Sequence, residues 1–181
     1  MSIVKDNIVT WERKGEGVSL YKRLLPDTAS NNYLGSKIAI YGLAVLLIPL
    51  TFRSLVHFLK DDSGVNSIAT ILTFSGSPDP NTVIYLFSSL WGGQQLLFVF
   101  LAAIVLVRYR SLIPLMFSLF IFECFFRVVS GTLHGLGPEY YESRPPGSIG
   151  TYVFLVYGIV MLYLSLRERP AESRDAGEES A

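Results

Sequence analysis

Residues 112 to 133 read LIPLMFSLFIFECFFRVVSGTL, an apolar and aromatic run broken near its middle by Glu123 and, four residues later, by Arg127. A helix needs roughly 20 predominantly apolar residues to cross a bilayer core about 30 Å thick, and this run has that length. The two charges then carry a constraint. A charged side chain facing hydrocarbon at mid-membrane costs several kcal/mol, so Glu123 and Arg127 must face protein or a polar cavity.

Three further runs have the same character, giving expected spans at 38–59, 83–107, 112–133 and 149–166. Over its 181 residues the chain is 50% hydrophobic and 17% charged, too apolar to cover a water-exposed surface, and the apolar residues are gathered into blocks. The expected fold class is therefore all-α: a polytopic membrane protein built as a four-transmembrane-helix bundle over residues 37–167. Residues 1–36 carry charges throughout and no apolar core of signal-peptide length, and are expected to remain as a polar cytoplasmic extension. Residues 168–181 are small and charged with no apolar face, and are expected to form a disordered cytoplasmic tail.

Orientation follows from the basic residues. Lys5, Arg13, Lys14, Lys22, Arg23 and Lys37 precede or open the first span, Arg108 and Arg110 lie between the second and third, and Arg167, Arg169 and Arg174 follow the fourth. The other side has only Lys60 and Arg144, so the positive-inside bias puts both termini in the cytoplasm. With a formal net charge of zero and basic residues spread as topology signals, no nucleic-acid partner is expected. On the outer side, the segment DDSGVNSIATILTFSGSPDPN (61–81) has an apolar centre too short to span. It reads as an interfacial helix or a lid, the helix being slightly preferred. The segment HGLGPEYYESRPPGS (134–148) reads as an irregular loop.

Helical spacing puts Glu123, Arg127, Ser130 and His134 on one face of the third span. Arg53 and His57 make a similar pair in the first, Gln94 and Gln95 lie near the centre of the second beside Gly92 and Gly93, and Tyr152 and Tyr157 belong to the fourth. The candidate ligand-binding set is Arg53, His57, Gln94, Gln95, Glu123, Arg127 and Tyr157, with Arg53 and Glu123 expected within hydrogen-bonding reach. Two Arg and one Glu leave one positive charge over, which suits a small anionic or amphipathic ligand or a membrane lipid. An alternative is a structural or regulatory membrane subunit whose charges lock helix register, with the cytoplasmic extension docking a protein partner. A third reading is an intramembrane enzyme using Glu123 and His57 as acid and base, against which Arg127 would hold Glu123 ionised. His57, His134, Glu139 and Glu142 have no metal-site spacing, the lone Cys124 has no intramolecular partner, and no phosphate-binding, HExxH or GxSxG motif is present; neither cofactor nor metal is expected.

WGGQQLLFVFLAAIVLVRYR leading into a tight basic turn, and FECFFRVVSG towards the end of the third span, together with the span layout over residues 37–166, resemble the small DoxX-like group of four-helix bacterial membrane proteins. The resemblance implies a left-handed bundle in a bacterial inner membrane, working beside a partner. It carries over no catalytic residue, and the long N-terminal extension departs from the group's compact form.

Overall fold

The computed structural model describes residues 19–167. A short α1 (Leu20–Leu24) precedes four helices long and apolar enough to cross a membrane: α2 (Lys37–Leu59), α3 (Pro80–Arg108), α4 (Ile113–Leu133) and α5 (Pro146–Leu166). The chain is an all-helical, multi-pass membrane protein. The observed helices differ from the expected spans mainly at the starts of α3 and α5, where capping chemistry extends them beyond the apolar runs. Asp79 accepts a hydrogen bond from the Asn81 N–H at 2.9 Å with Pro80 in the first turn, and Pro146 opens α5. The charged residues before position 19 and the expected disorder of the tail lie outside the described residues.

Packing joins α2 to α3 and α4 to α5, and α2 and α5 connect the two pairs. Leu43, Leu46 and Leu50 line one face of α2 and meet Val105 of α3 and Met116, Phe117 and Phe120 of α4 in the core. These residues belong to the N-terminal part of α2, the C-terminal end of α3 and the first half of α4, so the bundle is tightest towards the end where the chain enters α2. Glycine permits the closest approach elsewhere. A Cβ on Gly92 would stand 2.7 Å from the Phe58 amide nitrogen, so α3 can lie against the end of α2 only because Gly92 has none. The outward faces of the four helices are apolar and exposed, as contact with lipid requires.

At the tight end, residues 19–36 are docked onto the bundle. Tyr33 is buried, the Ser36 N–H donates to the Leu164 carbonyl, Arg23 donates to the Leu166 carbonyl at 2.6 Å, the Ser111 N–H donates to the Ser30 carbonyl, and the Ser30 N–H donates to the Ser111 hydroxyl. The basic segment before α2, the basic α3–α4 turn and the end of α5 therefore share one end of the molecule.

The opposite end is closed by residues 60–79, which form a lid. The preferred expectation of an interfacial helix fails here. Consecutive turns with left-handed backbone at Ser63 and Gly64, and again at Thr70, replace it. Asp62 stabilises these turns by accepting from the Gly64 N–H at 3.1 Å and the Ser67 N–H at 2.8 Å. Burial pushes the Asp62 carboxyl up, but the hydrogen bonds from Ser67 and Gly64 and the Lys60 ammonium outweigh it and hold the group below its ordinary value. Beyond the turns the lid is strapped to the loop between α4 and α5. The Leu72 N–H donates to the Tyr140 carbonyl, the Glu142 N–H to the Thr70 carbonyl, and the Thr70 hydroxyl to the Ser143 carbonyl.

Candidate functional site

The loosely packed, lid-covered half of the bundle holds the charges. Glu123 and Arg127 are one turn apart on α4, the favourable order for an intrahelical pair, and Arg127 donates to the Glu123 carboxylate through Nη2. Gln95 of α3 donates to the same oxygen, Oε1, at 3.3 Å, and its own carbonyl accepts from the buried Ser54 hydroxyl of α2. Arg53 of α2 approaches that oxygen too, but at 3.8 Å: an ion pair, longer than the hydrogen bond expected from sequence. Two closer donors already crowd Oε1, which accounts for the difference.

Like charges come together here, and an aromatic ring holds them. The guanidinium carbons of Arg53 and Arg127 each lie 5.3 Å from the Trp91 ring centroid, within cation–π range. The His57 ring lies 4.8 Å from the same indole. His57 is buried, its Nδ1 is 2.7 Å from the Ser63 carbonyl and 3.2 Å from the Ser88 hydroxyl, and a carbonyl partner requires the proton on Nδ1. The histidine thus ties the start of the lid to α3. The Nε groups of both arginines are buried without a hydrogen-bond partner.

These side chains wall a cavity of about 390 Å³, within the usual 300–1,000 Å³ of ligand pockets. Arg53, His57, Trp91, Glu123 and Arg127 make one side; Ile68 and Ala69 of the lid and the first turn of α5 make the other. Beside Gly147 and Gly150 on α5 there is open space, and the positive end of that helix's dipole lies at the wall. Trp91, Glu123 and Arg127 also line a second, shallower groove of about 560 Å³, bordered by Phe98 of α3 and by Phe122 and Phe126 of α4. This groove runs up the lipid-facing seam between α3 and α4, so the charged cluster borders both the covered cavity and the bilayer side.

Of the residues anticipated from sequence, Arg53, His57, Glu123 and Arg127 line the cavity, and Gln95 reaches the cluster from behind. Gln94 does not. It is exposed on the outer surface of α3, because consecutive helical residues diverge by about 100° and Gly92 and Gln95 fix which face meets α2 and α4. Tyr157 is also apart from the cluster: its hydroxyl donates to the Gly42 carbonyl at 2.8 Å, eleven residues before Arg53 on α2, or about 16 Å along the helix. His134 is exposed at the end of α4. Trp91 and Ser54 are cluster residues that the sequence candidates omit. Trp91 precedes Gln95 by four residues, and that spacing was the signal that it shares the inward face. Among the described residues no three His, Cys, Asp or Glu side chains come together as metal ligands would.

Fold and site together define a four-span membrane bundle with an ionic and aromatic cluster between a lidded cavity and a lipid-side groove. No family model, curated protein or solved structure matches the chain.

Proposed function

We propose that this protein binds an amphipathic anion in its lidded cavity, as a non-enzymatic membrane protein with both termini in the cytoplasm of a bacterial cell. The carrying observation is the charge balance at the cavity wall. Arg53 and Arg127 face one carboxylate, leaving one positive charge over, and two buried guanidinium N–H groups have no partner. The α5 N-terminus adds positive potential, and the remaining wall, with Leu50, Phe120 and Phe154, is apolar. A ligand with an anionic head and an apolar body matches both kinds of surface. The groove between α3 and α4 favours a ligand drawn from the bilayer over one from water, because it leads from lipid to the same three side chains. A place in the DoxX-like group is part of the proposal, supported by span layout and by the two segments quoted above.

The second reading, a register lock, is favoured by one observation: a single oxygen of Glu123 already has three donors around it. The enzymatic reading has less support, since Nδ1 of His57 is engaged by the lid and Glu123 by Arg127. Native mass spectrometry of the purified full chain separates the first two. The wild type is expected to retain a lipid or smaller amphiphilic anion, whose mass tells the two apart, and the triple variant Arg53→Leu, Glu123→Leu, Arg127→Leu is expected to lose it while remaining folded. An unliganded mass for both proteins, with the triple variant at least as stable, would overturn the binding reading and leave the lock.

A further inference from the structure

Gln94 is the fifteenth of the 29 residues of α3, about 21 Å from either end of that helix. It therefore sits at the depth where water is scarcest, and its side chain is exposed on the lipid-facing surface with no hydrogen-bond partner among the described residues. Two hydroxyls in the spans return to their own backbone: Thr51 donates to the Leu47 carbonyl and Ser118 to the Pro114 carbonyl. Glutamine is long and carries two donors and an acceptor, and its neighbour Gln95 shows what such an amide does in this protein when a partner is in reach.

The residues around Gln94 have a pattern. Phe87, Leu90, Gln94, Leu97, Leu101 and Ile104 are spaced alternately by three and four and are all exposed, so they form one stripe along α3. That is the 3.5-residue repeat of a left-handed helix–helix seam, with Gln94 at an a position between Leu90 and Leu97 at d positions. A single polar residue at such a position fixes register and partner number.

We infer that this stripe is the contact surface for a second copy of the same chain, packed α3 against α3 in parallel. Membrane insertion gives both copies the same orientation, so the two-fold axis lies along the bilayer normal and every residue meets its equivalent at equal depth. Gln94 then faces Gln94. An amide is self-complementary, donating and accepting in one pair, and the contact removes the Gln94 amide from lipid. A different partner would have to supply a matching amide at this depth, whereas a second copy does so by symmetry.

The test uses the full chain in lipid nanodiscs or bilayers at several protein-to-lipid ratios, with stoichiometry read by native mass or by single-molecule photobleaching. The wild type is expected to form a dimer of the 20.2 kDa chain, and Gln94→Leu to weaken it about 3- to 30-fold. Leucine suits a lipid-facing position, so this variant keeps its monomer fold. In a Cys124→Ala background, cysteines at Leu90, Gln94 and Leu97 are expected to cross-link between copies, and cysteines at Phe100 on the flank of α3 and Val156 on α5 to stay reduced. A wild type that is monomeric at every ratio overturns the inference. So does a dimer that Gln94→Leu weakens less than 3-fold, or one whose cross-links fall at Phe100 or Val156.

Discussion

Arg53 and Arg127 repel each other, yet both are held over one indole. Glu123 supplies the opposite charge, and the Trp91 quadrupole attracts each guanidinium in surroundings where neither is fully solvated. Trp91→Leu is expected to lower stability by about 1–4 kcal/mol, two cation–π contacts at roughly 0.5–2 kcal/mol each, and Trp91→Phe by less, because Phe keeps a weaker quadrupole. Thermal unfolding in detergent checks this. Equal losses in the two variants would mean that the ring only fills space. The pairing of Glu123 with Arg127 was legible from their spacing, and the approach of Arg53 from its matching depth. The choice between Gln94 and Gln95 was not, because hydropathy places a helix in the membrane without fixing its rotation. A second prediction concerns Asp62, whose carboxyl is held below its ordinary value by its hydrogen bonds to the lid turns. A depressed carboxyl contributes stability that is present above the unfolded value near 3.8 and is lost as pH falls through the lower folded value. Lid amides should therefore stay protected from hydrogen exchange down to about pH 4 in the wild type, and Asp62→Asn should expose them at neutral pH.

The lid shows where local chemistry overrides an apolar pattern. VNSIATILTF is apolar enough for an interfacial helix, but Asp62, Ser63 and Gly64 just before it favour a turn, and Val65, Ile68, Thr70, Ile71 and Thr73 are β-branched. The segment consequently turns twice and pairs with Tyr140 to Ser143, a partner distant in sequence that no local signal reveals. The contact of α2 with α3 was more legible, since adjacent small residues in a span mark close helix approach. The structure distinguishes the two glycines. A Cβ on Gly92 would collide with backbone atoms of His57 and Phe58, whereas one on Gly93 would make ordinary contact with the Phe58 ring at 3.5 Å. Gly92→Ala is expected to destabilise by about 1–3 kcal/mol and to displace His57 and Trp91 from the cavity wall, and Gly93→Ala to cost much less. Unfolding midpoints of the two variants give the comparison. If Gly93→Ala is the more damaging, the packing of α3 on α2 is not as described.

Why the site lies at one end of the bundle follows from how the core is divided. The largest fully buried side chains, among them Leu43, Leu46, Ile113, Met116 and Phe117, occupy the half that contains the start of α2, and the docked segment 19–36 seals that end. At the other end glycine, charge and loop take the place of large apolar side chains, so a cavity remains. The number of spans was legible because a length of about 20 apolar residues is a direct physical requirement of the bilayer; the division of the core was not, since it depends on which faces meet. The same division bears on topology. Lys22, Arg23, Lys37, Arg108 and Arg110 belong to segments gathered at the sealed end, and the lidded end carries Lys60 and Arg144, so the proposed topology with cytoplasmic termini predicts a cavity facing the cell exterior. Single cysteines in a Cys124→Ala background test it through a membrane-impermeant maleimide. Ser75→Cys, on the exposed lid, should label in intact cells, and Thr28→Cys, on the exposed part of the docked segment, only after permeabilisation. The reverse pattern would put the cavity on the cytoplasmic side, where its ligand would have to come from the inner leaflet or the cytosol.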